Sequence, residues 1–573
     1  MENLKEKIFA PRGIIIILFA VFLFLRLFTS SDYNFIDGDE IKYLEMAKNF
    51  PFHTTFNKQM EINHGPFFPY VIHIFTLIFE DHIAAILISL LSAAITFFVL
   101  YKLLMMLTNN FSVTFVTLFF FTLSVEFIIS SKAGLKESFV VMLIILSIYY
   151  YVKGVKFNNK KSIIAASIFG GLTAITTDHV IFLFPTFILS YVFFNYKQVN
   201  FRTLTFPGLK YAILPILVMF LFYASWTGVK AYQYSTNEYY PAGLVGTPVS
   251  TEGFGLMELL NPRYFGDYES SLFGGFSFDI KAYSYALGYM FNIVPFTIPR
   301  GLNFTTMDHL LLPKHIVYMI VIYLPFAFIT LFSLFTMLKN LIKTKNIYNN
   351  VNLYMIGVFL IFMFPLTQHR ASLRYFYTAF IFLYYFISYG LFILFSQRKK
   401  LKLYGKLITV ITIGILLLIP YWYYQNNNFI LFNKEFIYAQ ATGDFINSNL
   451  GRDDAIMIQP GYIYKLQYLT DRRTVGLTPL SDSLLPLIEY YNIDYVVFGK
   501  YFTWTNYFYS KDSVEYIMSH PDEFELIATI KEDYDALNVR LEMGAKMRAS
   551  DELYIYRVIK SESKLNEQLV FVV

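Results

Sequence analysis

GIIIILFAVFLFLRLFTSSDYNFIDGDEIKYLEMAKNF, residues 13–50, joins an apolar run to a strongly acidic loop. Gly13 to Ser30 has the length that crosses a bilayer, roughly 20 residues, and carries one arginine, Arg26, near its end. Residues 32–50 then hold five acidic side chains, with Asp37, Asp39 and Glu40 close together. No small-residue cleavage site ends the run and further apolar runs follow, so it reads as an uncleaved first transmembrane helix rather than a signal peptide.

The whole chain agrees with that start. Of 573 residues, 56% are hydrophobic, 20% aromatic and 15% charged, whereas a soluble domain carries about 25% charged residues. Runs of bilayer-crossing length lie at 13–30, 83–107, 111–130, 137–153, 161–178, 179–196, 209–228, 315–338, 350–366, 373–396 and 405–425, eleven in all. The segment GPFFPYVIHIFTLIFE, 65–80, is apolar but short and marked by prolines, which suits a juxtamembrane or re-entrant helix. With no cysteine in the chain, disulfides, thiolate metal sites and thiol nucleophiles are excluded.

Lysine and arginine near span ends stay on the cytoplasmic side. The amino terminus and the loops 153–161, 196–210, 339–346 and 397–406 are basic and recur on one side of the spans. The loops 31–82 and 229–314 fall on the other side. An odd number of spans then puts residues 426–573 outside as well. There the apolar runs shorten to strand length (DAIMIQ, RRTVGL, IDYVVFGK, FELIATI, ELYIYRVI) and alternate with helical segments such as AQATGDFINSNL and LLPLIEYYN. That alternation predicts a small α/β domain. The predicted fold is therefore a mainly α-helical polytopic membrane protein over 1–425, followed by a small external α/β domain over 426–573.

Acidic groups at a helix start are favoured by the helix dipole alone, so Asp39 and Glu40 ahead of Tyr43 and Ala47 are not by themselves a site. The order of features adds to them. An arginine ending span one, the pattern D-E-x-x-Y-x-x-x-A from Asp39 to Ala47, the Pro-marked GPFFPYVI and a second span together resemble the start of the GT-C glycosyltransferases. The likeness is to the branch with protein O-mannosyltransferases and lipid A aminoarabinose transferases. SVEFIISSKAGLKESFVVMLIILSIYYYVKG, with Glu137 opening the fourth span, and RASLRYFYTAFIFLYY resemble later family segments. The chain departs from the family pattern before the Pro-marked helix, where Asn63 and His64 follow Glu61, and after span five, where it reads ITTDHV.

The resemblance implies transfer of a sugar, with inversion, from a polyprenyl phosphate to an acceptor on the external face, the acceptor being a protein, a lipid or a glycan. Such a displacement needs one carboxylate to take the acceptor's proton and cations to steady the departing phosphate. Asp39 is the first candidate for the base, with Glu40 and Asp37 as neighbours that tune it by like-charge repulsion. Arg370 and Arg374, four residues apart and so on one helical face, are the phosphate candidates together with Lys132, Lys136, His64 and Arg26. Tyr43, Glu61 and Asn63 would shape the acceptor side. The aromatic wealth, 47 Tyr and 63 Phe, is expected mainly on lipid-facing surfaces. Three carboxylates can hold a divalent cation through oxygen ligands, although this branch is generally regarded as working without one. His53, His64, His73 and His82 lack a zinc-site spacing. No Gly-rich phosphate loop supports a nucleotide-sugar donor or ATP, and nothing points to nucleic acid. A transporter or lipid-linked glycan flippase without covalent chemistry is the alternative, since many spans with a few buried charges describe that class too.

Overall fold

The computed structural model describes residues 11–27, 43–44, 46–48, 65–132, 134–195, 209–236, 324–344, 351–363, 377–396, 441–459, 466, 469–470, 472, 474–477, 481–499, 511–531 and 552–560. Residue contacts divide the chain into two compact units: Met1–Tyr33, Ile62–Gln233 and Phe254–Asn427 form the first, and Asn34–Glu61, Tyr234–Gly253 and Asn428–Val573 the second.

The first unit is helical among its described residues. Its helices are α1 (Pro11–Leu27), α2 (Phe67–Thr76), α3 (Asp81–Thr108), α4 (Phe111–Leu123), α5 (Val125–Lys132), α6 (Glu137–Lys156), α7 (Lys160–Ala174), α8 (Leu183–Asn195), α9 (Leu209–Thr236), α10 (Leu324–Thr344), α11 (Val351–Met363) and α12 (Tyr377–Ser396). They answer to ten of the eleven expected spans; the run 405–425 lies outside the described residues. At 1.5 Å per residue, α3 is roughly 42 Å long and clears the hydrocarbon layer, while α2 reaches only about 15 Å. The run 111–130 is not one helix. It breaks at Ser124, whose backbone is extended and whose hydroxyl accepts a 2.8 Å hydrogen bond from Tyr384 of α12.

Two helical hairpins are turned by the same device, an Asn-Asn pair. Asn109 ends α3 with φ 48°, and the Asn110 side chain then caps α4 by accepting from the Val113 amide at 3.1 Å. Asn158 has φ 51°, and the Asn159 side chain caps α7 by accepting from Ser162. Asparagine tolerates the left-handed conformation that other side chains resist by roughly 1–2 kcal/mol per residue. Gly154 lets α6 and α7 close on each other, because a Cβ there would sit 2.4 Å from Ile163.

Helix α12 lies in the middle of this packing, against α4, α6, α10 and α11, and every described side chain from Tyr377 to Ser388 on it is buried. A helix that is apolar all round belongs in an interior. This corrects the expectation that aromatics chiefly face lipid: Tyr151, Tyr354, Tyr377, Tyr384, Tyr385, Phe97, Phe120 and Phe121 are among the largest fully buried side chains. The hydroxyls of Tyr354, Tyr384 and Tyr385 make interhelical links that lipid cannot, as in Ser190 to Tyr354 at 2.9 Å and Tyr385 to Asn352 at 2.5 Å. Lone serines and threonines bond the carbonyl four residues back, as Ser92, Thr96, Thr117 and Ser147 do.

In the second unit five strands form one sheet in the order β2-β1-β3-β5-β4. They are β1 (Ile456–Ile458), β2 (Thr474–Gly476), β3 (Tyr495–Gly499), β4 (Phe524–Lys531) and β5 (Glu552–Val558). The first three are parallel and the last two antiparallel. Alternation along β1 and β3 feeds two cores: Met457, Val496 and Phe498 pack with Leu484, Leu487, Val514 and Ile517, whereas Ile456, Ile458 and Val497 pack with Ile446 and Ile555. Burial on both faces is what a parallel sheet requires. The buried Arg472 guanidinium closes the helix 441–449 by donating to the carbonyls of Ile446 at 3.0 Å, Leu450 at 2.8 Å and Gly451. The expected α/β pattern is present, with one helix, Lys511–Ser519, that the sequence reading did not single out.

Candidate active site

In the sequence the acidic stretch departs after α1 and ends before α2, and the end of α1 and the start of α2 are both held by side-chain or backbone contacts at one end of the helical unit. At the departing side, Arg26 in the last turn of α1 is 1% exposed. Its guanidinium lies over the ring of Phe22, 3.6 Å from the centroid and one turn back. Nη1 donates to the Phe22 carbonyl at 3.3 Å and to the Thr122 carbonyl, at the end of α4, at 3.2 Å. Nε and Nη2 are buried and have no hydrogen-bond partner among the described residues. At the returning side, the Phe67 amide donates to the Ile175 carbonyl at 3.4 Å. Gly65 passes so close to that carbonyl that a Cβ would stand 2.4 Å from it, so glycine is required there by the approach of two backbones.

The start of α6 packs against α2 at this end. Glu137 is its first residue and is buried, a position where the helix dipole favours a carboxylate. Lys136 precedes it as the cap and is half-buried. Ser138 pairs with Ser130 of α5 at 3.2 Å, Ser89 of α3 donates to the Leu135 carbonyl at 3.0 Å, and Phe139 packs against Phe67 and Phe68 at 5.5 and 5.4 Å. The α5–α6 turn is thus tied to α2 and α3. Lys132 is the last residue of α5, at the same end.

A cation buried in a helix bundle is costly: an arginine at mid-bilayer is disfavoured by about 2.5–3.5 kcal/mol on insertion scales. The aromatic platform returns roughly 2 kcal/mol when desolvated, and the two carbonyls offset more. Arg26 is turned inward between α1 and α4, and its Nε and Nη2 are left without a partner among the described residues.

Of the residues singled out from sequence, the structure brings Arg26, Lys132 and Lys136 to this end of the helical unit. Tyr43 is helical and 1% exposed, as is Ala47; the segment carrying them, Asn34–Glu61, belongs to the second unit. Asp37, Asp39, Glu40, Glu61, Asn63, His64, Arg370 and Arg374 lie outside the described residues. Among the described residues no group of three His, Asp or Glu side chains could hold a metal.

Residues 63–238 match the family model described as dolichyl-phosphate-mannose-protein mannosyltransferase. No curated protein matches the chain in sequence. Among solved structures, the archaeal oligosaccharyltransferase AglB from Archaeoglobus fulgidus, in complex with an inhibitory peptide and a dolichol-phosphate, superposes with a TM-score of 0.57 at 11% identity, covering 97% of this chain and 89% of that one. ArnT from Cupriavidus metallidurans in the apo state superposes with a TM-score of 0.54 at 11% identity, covering 96% of this chain and 98% of that one. The chain has the GT-C glycosyltransferase fold. It is a multi-pass membrane protein.

The family-model match spans the elements from α2 to α9, which include those that hold the start of α2. The sequence points to Arg26 but not to what holds it. The four-residue step from Phe22 to Arg26 could have signalled the stacked ring, since such residues share a helix face. Nothing in the sequence marks the Thr122 carbonyl or the Tyr384–Ser124 link, because each joins helices far apart in the chain.

Proposed function

We propose that the chain is an integral membrane glycosyltransferase that moves a sugar from a polyprenyl phosphate of the dolichyl or undecaprenyl type to a protein, lipid or glycan acceptor at the cell surface. The acceptor's heteroatom attacks the anomeric carbon from the face opposite the phosphate, so the configuration inverts. The carbon–oxygen bond to phosphate breaks, the phosphate leaves with the electron pair, and the acceptor's proton passes to Asp39. Glu40 and Asp37 set the field around that base, and Tyr43, Glu61 and Asn63 shape the acceptor side. Arg374 and Arg370, with Arg26, Lys136, Lys132 and His64, neutralise the leaving phosphate.

The observation that carries this reading is Arg26: a fully buried guanidinium with spare donors, one short segment before an acidic cluster, in a chain with the GT-C fold. The AglB structure, which holds a dolichol-phosphate, supports a lipid-phosphate donor by analogy. The amino terminus is assigned to the cytoplasm and the carboxyl-terminal domain, 426–573, to the outside, on the recurrence of basic loops. Because the chain has no cysteine, single cysteines at Ser510 and Asn158 test the orientation: an impermeant thiol reagent on intact cells should label the first and spare the second.

The test of function is transfer of labelled sugar from polyprenyl-phosphate donors to membrane-extract acceptors by purified protein in detergent. A covalent product with released polyprenyl phosphate is expected. Movement of the donor across vesicles without any covalent product would instead establish a flippase.

A further inference from the structure

The opposite end of α3 and α6 carries a second cationic feature that the transfer chemistry does not use. A groove of about 650 Å³ is lined by Tyr101, Lys102 and Met105 of α3 and by Tyr149, Lys153 and Lys156 of α6, among others. Lys156 Nζ donates to the Met106 carbonyl at 2.7 Å, and the Lys153 ammonium lies 5.8 Å from the Tyr149 ring centroid. No acidic residue occurs in 82–125 or 138–177, the stretches that build this end. The negative ends of the two helices amount to about half a charge each, so three lysines leave the groove clearly positive.

Two features separate this groove from a scatter of topology-marking lysines. The lysines come from two helices and converge on one aromatic and methionine-lined recess. In addition, Leu91, Ile95 and Phe98 are exposed at 48%, 42% and 39%, and at steps of three and four they continue the face of α3 that carries the exposed Lys102. An apolar track thus leads along α3 from the cationic recess toward the middle of the span.

We infer that this groove binds an anionic phospholipid, its phosphate between Lys102, Lys153 and Lys156 and an acyl chain along Leu91, Ile95 and Phe98. Basic pockets between helices at a membrane surface recognise lipid headgroups in this way. The site is independent of the glycosyl-transfer reading.

Native mass spectrometry of the full chain in detergent, titrated with dioleoyl phosphatidylglycerol or with dioleoyl phosphatidylcholine, tests the inference. The wild type should retain phosphatidylglycerol in preference to phosphatidylcholine. Lys102→Gln with Lys153→Gln should weaken that binding roughly 30-fold, since each lysine near a membrane surface contributes about a factor of five. Lys160→Gln with Lys161→Gln removes the same charge next to the groove and should leave binding within about threefold of wild type. Equal binding by the groove variant, or an equal loss in the Lys160/Lys161 control, would overturn the site. Displacement of the lipid by millimolar inorganic phosphate would overturn it too, by showing a simple anion site.

Discussion

The two ends of the helical unit treat positive charge in opposite ways. At one end Arg26 is 1% exposed, stacked on Phe22 and short of partners among the described residues. At the other, Lys102 and Lys156 are exposed and Lys153 is half-buried around an open groove. Surface lysines carry little desolvation cost, so their presence needs only a topological or lipid-binding reason. A buried cation with no carboxylate bonded to it among the described residues is costly to keep, and the proposed transfer gives a reason in the leaving phosphate. Substitutions at the first end should therefore change turnover more than stability, and at the second the reverse.

The largest expected effect lies in the acidic loop. Asp39→Asn keeps size and most hydrogen bonding but removes the basic lone pair, so turnover should fall roughly 100- to 10,000-fold with donor binding retained. Asp37→Asn should be milder and Glu40→Gln intermediate. A well-folded, fully active Asp39→Asn enzyme would remove the base assignment. Arg374→Ala comes next: loss of charge-assisted bonds to phosphate should lower turnover at limiting donor roughly 10- to 100-fold. Arg374→Lys should recover only part of this, because an ammonium cannot make the paired contacts. Normal turnover by both variants would make this arginine an interfacial anchor.

The smallest effect belongs to the lysine-bearing end and should appear in stability alone. Asn109→Ala forces alanine into the left-handed conformation that ends α3, at a cost of about 1–2 kcal/mol, while Asn109→Gly should be close to neutral. Thermal unfolding in detergent should show the first variant lowered and the second not, with transfer rates at low temperature unchanged. A rate loss in Asn109→Ala matching that of Arg374→Ala would erase the contrast between the ends.

The fold was legible because the bilayer imposes it. Ten of the expected spans fall on described helices, and three of these, α3, α6 and α12, are by length and apolarity alone able to cross a membrane. All five strands were legible for a similar reason, as short apolar runs between turns. Where helices break was harder to read. Ser124 divides the run 111–130 where a tyrosine 260 residues away donates to its hydroxyl, and no local pattern encodes such a partner. The interior use of tyrosine in α12 was missed for the same cause: composition does not distinguish a lipid-facing ring from one whose hydroxyl links two helices. At the candidate site, residue type and order pointed to Arg26 and the acids, but the inward turn of the guanidinium onto Phe22 and Thr122 depends on how α1 meets α4.

Arg26→Met, with turnover and melting temperature measured on one preparation, tests the central claim that this buried arginine is kept for the reaction. Methionine fills a similar volume and removes an isolated buried charge, so melting should stay the same or rise, while turnover at limiting donor should fall roughly 10- to 100-fold. Unchanged turnover with a lowered melting temperature would contradict the account, and would make Arg26 a structural tie between α1 and α4.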